Sequence, residues 1–236
     1  MIVRAAVLAL ILTGTVAAPA AAQTAPAPVP IPGPGPPGPY VIDVRGSTAG
    51  APNAARFYPA VPTGTRIPSR GFGLDVGGHV YLFRLGPARV GLGADLFRLR
   101  GTAKPSAPVT SGSTPTSIST TTQTTPDMKV SITTVAPQVS LNFGTSTGWS
   151  YISAGLGRAQ VISERSAFDK GVAARLESGQ VTSQNFGGGA RWFTSDHLAF
   201  TFDLRFHLLS PGKAQGEVLG TPRTRVVTAS AGISIR

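Results

Sequence analysis

Side chains able to do acid–base or nucleophilic chemistry are few in this chain. Its 236 residues include three histidines, ten acids and no cysteine. Without cysteine there can be no disulfide, thiolate metal ligand or lipidated N-terminal cysteine. His79, His197 and His207 are too scattered for metal-ligand spacing. A serine–histidine–acid set can be assembled from His207, Ser210 and Glu217. In the right geometry such a set activates a hydroxyl for acyl transfer. Against it, Ser210 opens a Pro-Gly loop and His207 falls on the polar side of an alternating segment. The clusters Gly71-Phe72-Gly73 and Gly187-Gly188-Gly189 precede no helical pattern, so they do not form a phosphate cradle. Glycines facing a narrow lumen or relieving curvature account for them better. No catalytic, cofactor or metal-binding set is expected.

What remains is electrostatics. The formal charge is +11, carried largely by arginines that occur singly. A nucleic-acid partner calls for a basic run or a recognisable module, and the chain has neither. A phosphate-bearing lipid surface fits scattered arginines at least as well.

These charges sit within a period-two pattern that starts near Tyr40. In 198–209 the residues Leu198, Phe200, Phe202, Leu204, Phe206 and Leu208 share one face. Ala199, Thr201, Asp203, Arg205 and His207 share the other. Alternation of this kind specifies strands. Nearly every segment pairs one strongly apolar face with a small or polar one, as a lipid-facing barrel requires. The pattern predicts eight strands, near 40–47, 71–84, 89–100, 128–143, 149–161, 180–193, 198–209 and 224–235. Within 128–143 the phase changes near Thr133 and Thr134, which predicts a β-bulge.

Connections alternate in length. Turns at 85–88, 144–148 and 194–197 are short, whereas 48–70, 101–127, 163–179 and 210–223 are long. Membrane barrels of the bacterial outer membrane have even strand numbers, short periplasmic turns and long outer loops. Aromatics gather by the short turns: Tyr81, Phe83, Phe143, Trp149, Tyr151, Trp192 and Phe193. They are expected to form an interfacial girdle. The fold class expected is all-β, an eight-stranded antiparallel up-and-down transmembrane β-barrel spanning 40–236.

Ahead of it, Arg4, the apolar run 5–12 and Ala20-Ala21-Ala22 read as a signal peptide over 1–22. The Pro-rich segment 23–39 reads as a semi-rigid periplasmic tether. No later stretch has about 18 consecutive apolar residues, so any membrane crossing must use strands. The segment 101–127 is low-complexity Ser/Thr/Pro and cannot bury a core. Its possible uses are adhesion, shielding or carriage of sugars.

Three segments carry a family resemblance: 185–209 (NFGGGARWFTSDHLAFTFDLRFHLL), 225–236 (RVVTASAGISIR) and 136–157 (APQVSLNFGTSTGWSYISAGLG). They resemble the small outer-membrane β-barrels related to the transmembrane domain of outer-membrane protein A. In that family a Gly-rich strand ending in aromatics meets a short turn and an aromatic/charged strand, and a closing strand ends the barrel. The resemblance covers 40–236 and implies the outer membrane of a Gram-negative bacterium, with the barrel assembly machinery as a partner. The chain departs from the longer relatives in having no peptidoglycan-binding domain after the barrel. It departs from the usual aromatic ending by finishing Ile235-Arg236.

Projected onto such a barrel, Asp43, Arg45, Asp75, His79, Asp95, Arg191, Asp203, Arg205 and His207 face inward. An eight-stranded barrel is just wide enough for its side chains, and buried charges need pairing. An ionic plug is therefore expected rather than a conducting pore. Arg98, Arg158 and Arg225 face outward near the long-loop ends, where they could meet lipopolysaccharide phosphates or snorkel into water. The function expected is a non-enzymatic outer-membrane barrel with a structural or surface-interaction role, its surface ligand undetermined. The alternatives are a lipid A deacylase-like enzyme built on His207, Ser210 and Glu217, and a small porin.

Overall fold

A computed structural model of the protein describes residues 38–52, 55–59, 61, 65–104, 127–166, 172–213 and 220–236. The signal peptide and most of both the Pro-rich tether and the Ser/Thr/Pro segment lie outside the described residues.

The alternating segments form strands β1 (Tyr40–Gly50), β2 (Arg70–Leu85), β3 (Ala88–Ala103), β4 (Met128–Thr145), β5 (Gly148–Ser166), β6 (Val172–Glu177), β7 (Val181–Phe193), β8 (Leu198–Leu209) and β9 (Thr224–Ile235), with one 3₁₀ turn at Ala55–Phe57. All pairings are antiparallel. β1 pairs with both β2 and β9, so the sheet closes on itself through β3, β4, β5, β7 and β8. Closure satisfies every strand edge of the ring, which open sheets cannot do.

The ring has eight members because β6 prolongs β7. β5 pairs with β7 as far as Ala159↔Val181 and with β6 from Ile162↔Glu177. Three residues, Ser178, Gly179 and Gln180, thus stand opposite Gln160 and Val161. Gly179 adopts φ 64°, the left-handed conformation that a bulge of this kind assigns to glycine. Ser178 accepts the Val161 N–H on its Oγ at 2.9 Å and donates its own N–H to the Val161 carbonyl at 2.9 Å. The expected long loop at 163–179 is therefore a hairpin flank: β5 continues to Ser166 and the chain returns as β6.

The bulge expected near Thr133 is absent. β4 keeps one register against β3 from Ala88↔Phe143 to Ala103↔Met128, and against β5 from Thr145↔Gly148 to Met128↔Arg165. Its even-numbered residues face inward throughout. What changes is their chemistry. Asn142, Ser140 and Gln138 line the lower lumen, whereas Ile132, Val130 and Met128 line the upper.

A second register shift lies in β2 between Tyr81 and Phe83. It rotates Phe83 outward while Tyr81 stays buried in the lumen. At the adjoining turn Gly86 has φ 58° at the first of two loop residues, as a type II′ hairpin turn requires, and Pro87 follows.

The interfacial girdle is correspondingly smaller than expected. Phe83, Phe143 and Trp192 are exposed on the outer wall, but Tyr81, Trp149 and Tyr151 are buried inside. Parity decides this: Trp149 and Tyr151 share the inward face with Ser153.

Candidate functional site: the lumen and its loop-side collar

Every residue expected inside is there. Asp43, Arg45, Asp75, His79, Asp95, Arg191, Asp203, Arg205 and His207 are all at most 5% exposed. Adjacent strands bring seven of them into one ionic network. Arg45 on β1 is its hub: Nη2 donates to Asp75 Oδ1 at 2.9 Å and to Asp95 Oδ1 at 3.3 Å, and Nη1 donates to the Tyr151 hydroxyl at 2.7 Å. The Tyr151 hydroxyl in turn donates to Asp203 Oδ2 at 2.7 Å.

Two further arginines flank the hub. Arg191 grips Asp43 bidentately, at 2.9 Å from Nε and 2.6 Å from Nη2. Its guanidinium lies 3.9 Å from the centre of the Tyr151 ring. Asp43 also accepts from the Ser234 hydroxyl. Arg205 bonds Asp203 through Nε at 3.2 Å and Nη2 at 2.9 Å, and reaches Asn185 and Ser153. Bidentate, charge-assisted bonds are what allow guanidinium and carboxylate to lie out of water.

His79 and His207 face the lumen without joining this network. Among the described residues, no hydrogen-bond partner meets either ring's nitrogens. His79 lies over Gly93, where a Cβ would come within 2.6 Å of its ring. His207 stacks on Phe97 with ring centres 4.8 Å apart. Sequence reasoning missed Tyr151, Ser153, Asn185 and Ser234 as network members, although their inward parity was readable. Tyr151 was hidden by its nearness to the turn. Gly189 makes room for it, since a Cβ there would stand 2.8 Å from the hydroxyl and 1.9 Å from the Phe202 carbonyl.

Apolar layers lie on both sides of the network. Toward the short turns, Val41, Tyr81 and Trp149 pack together with Phe193. The Arg236 guanidinium lies 3.8 Å over the Phe193 ring and donates to the carbonyls of Asp196 and Ser146. Toward the loops, Phe97, Leu99, Met128, Val130, Ile132 and Val161 fill the lumen, joined by Phe57 and Tyr58 from the β1–β2 connection. Tyr58 is buried and donates to the Pro52 carbonyl at 2.7 Å, and burial raises its pKa.

The outer wall reverses this order. Below, it is apolar, with Phe200, Phe202 and Leu204 exposed over the buried Thr201, Asp203 and Arg205. Above, on several strands polar residues turn outward and apolar ones inward: Arg98 and Arg100 against Phe97 and Leu99, Arg158 against Ala159, Arg225 against Val226, while on β2 Phe72, opposite Arg100, stays exposed. The three expected collar arginines, Arg98, Arg158 and Arg225, all sit at this crossover and are exposed. The hydrolytic set is not assembled among the described residues. His207 is enclosed in the lumen and Glu217 lies outside them. No helix of the described residues is long and apolar enough to cross a membrane, which says nothing of strands.

No family model matches the chain. No curated protein matches it either. Solved structures do. Neisserial surface protein A is 14% identical, with a TM-score of 0.50, covering 84% of this chain and 97% of its own. Ail of Yersinia pestis, solved with the heparin analogue sucrose octasulfate, is 11% identical with a TM-score of 0.44, covering 83% and 95%. The outer membrane enzyme PagL is 13% identical with a TM-score of 0.39, covering 84% and 99%. With its closed antiparallel ring, the chain has the fold of the eight-stranded β-barrels of the bacterial outer membrane.

Proposed function

We propose that this protein is a closed, non-enzymatic barrel of the bacterial outer membrane, with a structural or surface-interaction role exerted through its long loops. The observation that carries this reading is the crossover of polarity along the wall. Over the lower part of the strands the exterior is apolar and the interior is ionic. Water cannot favour that arrangement, because it exposes Phe and Leu while burying Asp and Arg. A hydrocarbon surround does favour it. Above the crossover the wall follows the rule of a water-soluble β-protein, so the change marks the bilayer surface. Arg98, Arg158 and Arg225 stand there, placed to contact lipopolysaccharide phosphates.

Electrophoresis of isolated outer membranes, boiled against unboiled in SDS, tests the reading. A heat-dependent change in migration is expected. Recovery from the soluble periplasm with no such change overturns it. The layered packing of the lumen argues against the porin alternative, and the enclosure of His207 argues against a deacylase. Loss of an acyl chain from lipid A with purified protein, abolished by His207→Ala, would reinstate the enzymatic reading.

A further inference from the structure

Lumen charges are paired, but three cations on the outer face of the upper wall are not. Arg98 and Arg100 alternate outward on β3. The pairings Arg100↔Ser131 and Thr102↔Lys129 make Lys129 the diagonal neighbour of Arg100 on β4. Phe72↔Arg100 puts Arg70 diagonally across on β2. Such diagonals bring Cβ atoms to about 7–8 Å, within reach of long side chains. Arg98, Arg100 and Lys129 line one groove of about 400 Å³, with Thr102, Ser131 and Glu164. Among the described residues, none of the three cations makes an ion pair or hydrogen bond through its side chain. Glu164, the one acid of that groove, is held by Arg175 at 3.3 Å, and Arg175 also pairs with Glu177 at 2.9 Å.

Like charges on neighbouring strands repel, and Glu164, opposite Lys129 on β5 but bound to Arg175, offsets only part of that repulsion, so an added anion makes the groove more favourable. One phosphate cannot match three cations, whereas a headgroup with two can do so while leaving the guanidinium forks their preferred partner. The groove begins at the crossover level, where a lipid headgroup lies and where its acyl chains would run down the apolar wall. Elsewhere at this height the outward residues include uncharged ones, such as Thr48, Thr182 and Gln184, and smaller sets of arginines: Arg158, and Arg225 with Arg223 in a groove of about 150 Å³.

We infer that Arg98, Arg100 and Lys129 form a discrete site for the headgroup of a diphosphorylated lipid of the lipid A type, one per barrel. This rests on the outer-membrane reading above and deepens it from a diffuse collar to a single face.

The test is native mass spectrometry of the full, folded chain in detergent with bis-phosphorylated lipid A, monophosphoryl lipid A or inorganic pyrophosphate. One bis-phosphorylated lipid per barrel is expected, with the monophosphoryl form weaker. R98Q/R100Q/K129Q should weaken binding by at least about tenfold, the equivalent of about 1.4 kcal/mol, while R158Q/R225Q, elsewhere on the collar, should weaken it clearly less. Each variant must keep its heat-dependent migration, which shows that it is folded. Equal loss in both variants overturns the discrete site but leaves the outer-membrane reading intact. Pyrophosphate binding as tightly as the lipid, or no saturable lipid binding, also overturns it. A wild-type chain without heat-dependent migration defeats both readings.

Discussion

At the scale of single residues, the lumen is held by groups that cannot be removed one at a time. Arg45 serves Asp75, Asp95 and Tyr151 at once. Arg45→Met therefore strands two carboxylates away from water. It is expected to cost about 3–5 kcal/mol, the usual penalty for breaking a buried pair from one side. The urea midpoint of the folded barrel in detergent measures it, and an unchanged midpoint would remove Arg45 from the hub. Asp43 and Arg191 form a bidentate pair, so Asp43→Asn and Arg191→Met should be far from additive. The double variant is expected to lose clearly less than the two singles together, because neither charge is left alone. A sum of equal size would mean that the pair is not coupled.

At the scale of elements, the bulge between β6 and β7 turns on one backbone conformation. A Cβ on Gly179 would meet nothing within 4 Å, so only its φ of 64° constrains the residue. Gly179→Ala should cost about 1–2 kcal/mol through that conformation alone. Gly179→Asn should cost less, because asparagine tolerates the left-handed region. Comparison of the two melting temperatures decides this, and equal losses would point to lost packing instead. Strands and lumen set were both readable in the sequence, because alternation assigns each residue a face and the charges of 198–209 all fall on one. β4 was misread for a physical reason. If the apolar side is the outer side along the whole strand, Met128, Val130 and Ile132 read as a slipped phase. Once the wall leaves the bilayer the apolar side is the inner one, and the same parity carries opposite chemistry. Contacts between strands, such as Tyr151 with Arg45 and Asp203, depend on register, which one strand's sequence does not contain.

At the scale of the whole molecule, the interior is three layers in series: aromatic below, ionic in the middle and apolar above. Opening one layer should not open the barrel. Phe97→Ala removes a fully buried ring from the upper layer and should cost about 3–5 kcal/mol in stability. Planar-bilayer recordings of that variant should nonetheless remain at the baseline of the unaltered protein. Stepwise currents would mean that the upper layer alone seals the lumen. The ionic layer also has a bearing on assembly, because it joins the two ends of the wall. Asp43 and Arg45 come from the first strand, while their partners include Ser234 on the last and Arg191 on β7. As the β1–β9 seam closes, these charges leave water and find their counter-ions in one event. A seam slipped by two residues would keep every apolar side chain facing lipid, and an oily exterior could not tell it from the correct one. It would leave Asp43 and Arg45 displaced from their partners, so the lumen acts as a register gauge that rejects a closure the outer surface would accept.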